Sequence, residues 1–243
     1  MTYHNRHECK FVVPESVAAR LLHRVTPFLQ PDPFAAKSPT HTYPIASLYL
    51  DDTHNTLYRE TVEGRASRYK LRIRSYTDDP FAPVFLEVKR RVDRVVQKLR
   101  CPVPRTALPA LLAGQTNDLD GLPPQKQASL REFLRLQQLA RAVPRILVRY
   151  DRQAYVGRDE DNLRVTFDRR LAALPQQDAV VAVVDRRYES LPPLGVVLEL
   201  KFTDRCPHWM LDAVRACELR RTSFSKYCNS VDALAGLGLE LPS

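Results

Sequence analysis

The sequence predicts an α+β fold: an antiparallel sheet or barrel with added helices. Two observations carry this. About eight strand-like segments follow one another, most joined by turns too short for βαβ crossovers. Within most of them, apolar and charged residues alternate with a period of two, which assigns them to opposite faces of a sheet. The chain has 243 residues, 44% of them apolar and 27% charged. That is ordinary globular usage and enough to bury a sizeable core, so residues 1–243 are read as a single domain.

The elements follow in order. Residues 4–13 read as a strand. Residues 14–29 read as a helix, with Pro14 near its first position and Leu21, Leu22, Val25, Phe28 and Leu29 on one face. A Pro-rich loop fills 30–44, and 45–51 is strand-like. Residues 54–63 form a short helix closed by Gly64. Three strands follow closely, at 68–76, 84–91 and 94–103. Residues 106–142 are mostly helical, with a polar break from Asn117 to Pro124. Segments 145–156, 163–169 and 195–202 complete the strands, and 180–186 is ambiguous. Helices at 208–220 and 225–236 close the chain.

Composition excludes several classes. No apolar run approaches the ~20 residues that span a bilayer. The polar stretch Met1–Lys10 does not resemble a secretory signal. There is no GxxxxGK[ST] or GxGxxG, so a P-loop or dinucleotide-binding site is not expected. Cys9, Cys101, Cys206, Cys217 and Cys228 are odd in number and lack zinc-site spacing. They read as reduced thiols of a cytoplasmic protein. A net charge of +9 favours a polyanionic partner.

The charges inside the strands are the informative feature. Glu-x-Lys occurs at Glu8–Lys10, Glu87–Lys89 and Glu199–Lys201, and Arg72–Arg74 is a fourth charged pair. The opposite parity is apolar, as in Leu71 and Ile73, Leu86 and Val88, and Leu198 and Leu200. A sheet with one solvated face would also alternate. It would have no reason, however, to repeat the same acid-base order three times with almost no Ser, Thr or Gln.

The alternative is a closed barrel with the charged faces inward and helices covering the apolar ones. Its bases would be Lys10, Arg72, Arg74, Lys89, Lys98, Arg149, Arg164 and Lys201, against Glu8, Glu87, Asp168 and Glu199. Surplus bases suit a chain of phosphates, and the carboxylates suit a hard divalent cation bridging them.

These segments resemble the VTC domain, the polyphosphate polymerase branch of the CYTH or triphosphate tunnel metalloenzyme superfamily. The resemblance runs through Arg6-x-Glu8-x-Lys10-Phe11, Tyr49-Leu50-Asp51-Asp52-Thr53 (with one extra Asp), Arg72-Ile73-Arg74-Ser75-Tyr76 and Glu87-Val88-Lys89 with Lys98-Leu99-Arg100. It continues through Arg149-Tyr150-Asp151-Arg152, Arg164-Val165-Thr166-Phe167-Asp168, Leu198-Glu199-Leu200-Lys201 and Phe224-Ser225-Lys226-Tyr227.

The resemblance implies an eight-stranded antiparallel β-barrel, or tunnel, with flanking helices. It implies transfer of the ATP γ-phosphate onto a growing polyphosphate chain, dependent on Mn²⁺ or Mg²⁺. Glu199 would be the metal ligand, with Glu8 and Glu87 either assisting it or pairing with nearby bases to orient them. Arg72, Arg74, Lys89 and Lys201 would act on the transferred phosphates, and Lys98, Arg149 and Arg164 would hold nucleotide and product. Lys10, Ser225 and Lys226 would lie near a tunnel mouth.

A tunnel triphosphatase is the nearest rival. Such relatives usually carry a leading Glu in each motif, where this chain has Arg6, Phe85 and Val197. A non-catalytic polyphosphate-binding module is a second rival. A specific nucleic-acid partner is not expected, because the aromatics do not cluster with bases on one strand face. The oligomeric state is not legible.

Overall fold

The computed structural model describes residues 6–93, 95–115, 121–160, 162–191 and 195–242, although nothing is said of the side chain of Arg6. The expectations resting on His4, Arg94 and half of the 117–124 break lie outside these residues.

The strands are β1 (Arg6–Val13), β2 (Leu29–Pro31), β3 (Thr42–Asp51), β4 (Ser67–Ser75), β5 (Val84–Val92), β6 (Val95–Val103), β7 (Val143–Gly157), β8 (Arg164–Pro175), β9 (Glu189–Ser190) and β10 (Val196–Thr203). The α-helices are α1 (Glu15–Val25), α2 (Thr56–Val62), α3 (Leu108–Leu112), α4 (Pro124–Leu139), α5 (His208–Ala216) and α6 (Lys226–Gly236).

The fold is therefore α+β with a large antiparallel sheet, as the alternation predicts. The closed eight-stranded barrel is not what forms. Among the described residues the sheet has ten strands, and its pairing path β1-β10-β8-β7-β3-β4-β5-β6 has two open ends. The short β2 and β9 pair with β7 and β8 off that path. They fall in stretches too brief and too Pro-rich or polar to show a period of two. The ambiguous 180–186 segment carries no strand.

The chain divides into two compact units, 1–44 with 150–171 and 191–225, and 45–149 with 172–190 and 226–243. In the first, Phe11, Leu198 and Phe167 face one another across β1, β10 and β8, and so do Cys9, Leu200 and Val165. This apolar face is buried with Ala18, Leu21 and Val25 of α1 and Met210 and Ala213 of α5. Gly195, at φ +78°, precedes β10, and a Cβ there would clash with the Val13 carbonyl. The pairing of β1 with β10 ends beside it, at Val13 and Val196.

In the second unit the register aligns Leu48, Ile73, Leu86 and Cys101 in one row, and Leu50, Leu71, Val88 and Leu99 in the next. Leu108 and Leu111 of α3 and Leu130, Phe133 and Leu134 of α4 pack with this face. In both units helices pack on the apolar rows just named. The charged parity is fixed on the other side, because a slip of one residue would invert every side chain.

Phe167 is fully buried in the first of these cores. Phe167→Ala is expected to cost about 3–5 kcal/mol, read as a lower urea midpoint at constant m. A loss under about 1 kcal/mol would contradict this packing.

Candidate functional site

The charged faces are built row by row. In the second unit β4, β5 and β6 place Arg72, Glu87 and Arg100 directly opposite one another, with Tyr49 of β3 beside Arg72. Glu87 is 1% exposed, and four bases meet its carboxylate. Arg72 reaches Oε2 through Nη2 and Nε, both at 2.6 Å, and Arg74 Nη1 lies 3.7 Å away. Lys98 Nζ is 3.1 Å and Arg100 Nε 3.5 Å from Oε1.

Burial pushes the Glu87 carboxyl upward, but Arg72, Arg74 and Lys98 outweigh it and hold it well below the usual carboxylate range. Lys98 is pulled down to about 8, mainly by desolvation and further by Arg72 and Arg74, while Glu87 opposes the shift. Its side chain is about half exposed, yet its ammonium meets Glu87 among these bases.

The guanidinia are held from behind. Arg74 Nε donates to Ser47 Oγ at 3.2 Å. Arg100 lies 3.8 Å over the Phe85 ring and donates to Tyr76 Oη at 3.1 Å. Tyr49 stacks on Tyr227, ring centroids 5.0 Å apart, so core packing accounts for this ring.

Asp51 is fully buried at the end of β3. It accepts from the backbone N–H groups of Asp52, Leu57 and Tyr58, which tie it to the first turn of α2, and from Tyr227 Oη at 2.7 Å. Burial raises its pKa, and these four donors oppose the rise. Tyr227 follows Lys226 at the start of α6, so Asp51 fixes where that helix begins.

In the first unit Glu8, Lys201 and Arg164 form one row, and Lys10, Glu199 and Thr166 the next. Lys10 Nζ lies 3.3 Å from Glu8 Oε1 and 3.8 Å from Glu199 Oε1, while Lys201 Nζ is 3.0 Å from Glu199 Oε2. Lys10 also donates to the Phe224 carbonyl at 2.8 Å, tying the segment before Ser225 to β1. Arg164 is paired with Asp32 at 2.6 Å, and Asp168 is clamped bidentately by Arg152, both contacts at 2.7 Å.

Sequence reasoning named most of these residues but missed some partners. Asp32 carries no strand signal. Arg152 lies one parity off the expected charged face of β7. Continuous alternation along β7 puts Arg149 with Asp151, opposite Arg152. Ile146, Leu147 and Val148 are all fully buried, and a strand buried on both sides hides its own phase.

Among the described residues, no three His, Cys, Asp or Glu side chains come together as a metal-ligand group. Glu8 and Glu199 share Lys10, and two carboxylates with substrate phosphates suffice for Mg²⁺-type binding. Their carboxylate oxygens are the hard donors such a cation takes. Of the two roles expected for Glu87, its surroundings show the second, pairing with bases.

The VTC domain model matches residues 5–235. The chain belongs to the VTC domain family. None of the curated proteins compared with it matches. Among solved structures it is similar to PH1819 protein from Pyrococcus horikoshii OT3, at 11% identity and a TM-score of 0.40, over 98% of this chain and 93% of that one. Among the described residues, no helix of this VTC protein is long and apolar enough to cross a membrane.

Glu87→Ala strands buried bases and is expected to cost about 3–5 kcal/mol. Because its folded pKa is depressed, the stability Glu87 gives is present above its ordinary value of 4.5 and lost as pH falls below it. Urea unfolding of wild type between pH 7 and pH 3 should show this acid loss, and Glu87→Ala should flatten it. An equal acid slope in both proteins would contradict the assignment.

Proposed function

We propose that the protein is a polyphosphate polymerase that transfers the ATP γ-phosphate onto a growing polyphosphate chain with Mn²⁺ or Mg²⁺. The observation that carries this is the surplus of base over acid around Glu87: four bases on one buried carboxylate, in a member of the VTC family. Phosphoryl transfer asks for positioning and for neutralisation of oxygens more than for covalent help. Arg72 and Arg74 offer planar forks held by Glu87 and Ser47, suited to bidentate phosphate contacts, and Lys98 adds a point charge.

Glu199 and Glu8 would hold the divalent cation, with Lys10 and Lys201 neutralising them in its absence. When bound, the cation would offset phosphate charge. Lys89 lies one row from Glu87, at the register position opposite Lys98, and would continue the phosphate contacts. Lys226 at the start of α6, with Ser225 before it, and Arg164 would add further phosphate contacts. The scarcity of carboxylates argues against a triphosphatase, which needs metal-bound water to attack the chain. ATP as donor fits a cytoplasmic protein.

The test is metal-dependent ADP release from ATP. Wild type should release ADP only with Mn²⁺ or Mg²⁺, and Glu199→Ala should lose about 100-fold. Full metal-dependent turnover in Glu199→Ala would overturn the metal assignment. No turnover in wild type would overturn the enzyme reading.

A further inference from the structure

The face of β4–β6 that carries Glu87 does not end with its row. One row further toward the β5–β6 turn, Lys70, Lys89 and Lys98 stand directly opposite one another on three neighbouring strands. In the row beyond, Arg68 faces Arg91, with Val96 on β6. Like charges opposed across a sheet are destabilising, and here two successive rows consist of them. Burial and the neighbouring Arg91 lower the pKa of Arg68, as burial, Arg72 and Arg74 lower that of Lys98. Exposure rises along the same line, from buried Arg74 and Glu87 to half-buried Lys70 and Lys89 and exposed Arg91. Four rows from Arg74 to Arg68 cover about 20 Å, with bases about 5 Å apart across strands and about 7 Å apart along them.

We infer that the two outer rows, Lys70–Lys89–Lys98 and Arg68–Arg91, form an outer binding segment for the distal part of a linear polyphosphate chain. The product then leaves over the β5–β6 hairpin at the open end of the sheet. This deepens the polymerase reading and rests on it. Opposed bases at this spacing suit a ligand charged at every unit. Arg68 and Lys70 share a parity that excludes Tyr69, so these two rows carry no aromatic ring, and single-stranded nucleic acid would lack a stacking platform there. Of these residues only Lys89 and Lys98 are marked by the Glu-x-Lys pattern and its hairpin. Alternation in β4 also puts Lys70 on the charged parity with Arg72 and Arg74, whereas Arg68 and Arg91 emerge from the register alone.

The test compares long-chain polyphosphate with tripolyphosphate, each titrated over a range of salt. In the Lys70→Gln/Arg91→Gln double variant, the slope of log affinity against log salt for the long chain should fall by about 2, one for each base removed. The slope for tripolyphosphate, seated by the bases around Glu87 and too short to extend from that row to Arg91, should fall by no more than about 1. Lys70→Arg should keep the wild-type slope, and Arg20→Gln, a charge loss elsewhere, should leave both slopes alone. An unchanged long-chain slope in the double variant overturns the outer segment while sparing the polymerase reading. Equal loss of single-stranded DNA binding would also overturn it, by showing general attraction. Wild type that binds neither polyphosphate overturns both.

Discussion

The arrangement depends on one buried carboxylate. Glu87 gathers Arg72, Arg74, Lys98 and Arg100 onto the middle of a three-strand face. Without it, these bases would repel one another in a poorly solvated place, and their side chains would turn outward. With it, they are oriented but not neutralised, because one negative charge meets four positive ones. The deficit is what a phosphate chain can supply. The same logic runs at lower charge in the other unit, where Lys10 and Lys201 hold Glu199 between them; under the proposed function a cation and its phosphates would compete for it.

The apolar parity makes this possible. Leu71, Ile73, Leu86 and Val88 are buried with α3 and α4, and Phe11, Leu198 and Phe167 with α1 and α5. Each helix that covers an apolar face also sets which way the charges point. Asp51 does comparable work at the end of β3. By accepting from three N–H groups around α2 and from Tyr227, it fixes the helix that carries Lys226 and the ring against which Tyr49 stacks.

Much of this was legible because strands β1, β4, β5 and β10 each bury one face, so their charges print a period of two in the sequence. Glu8, Lys10, Glu87 and Glu199 could be found that way. Arg152 could not, because β7 is buried on both sides and the pattern loses its phase around Ile146–Val148. Asp32, the partner of Arg164, lies in a loop where no periodicity exists. Closure into a barrel was also beyond reach. Alternation specifies faces, whereas closure depends on pairing between the first and last strands of the path, and here β1 and β6 are its ends. Like-charge rows such as Lys70–Lys89–Lys98 exist only once register is known.

The most direct measurement is ³¹P NMR of the protein with ATP and Mg²⁺ over time. The account predicts that ADP accumulates together with mid-chain polyphosphate signal, with no matching rise in orthophosphate. ADP accompanied by equivalent orthophosphate would contradict it, and would assign the basic faces to hydrolysis.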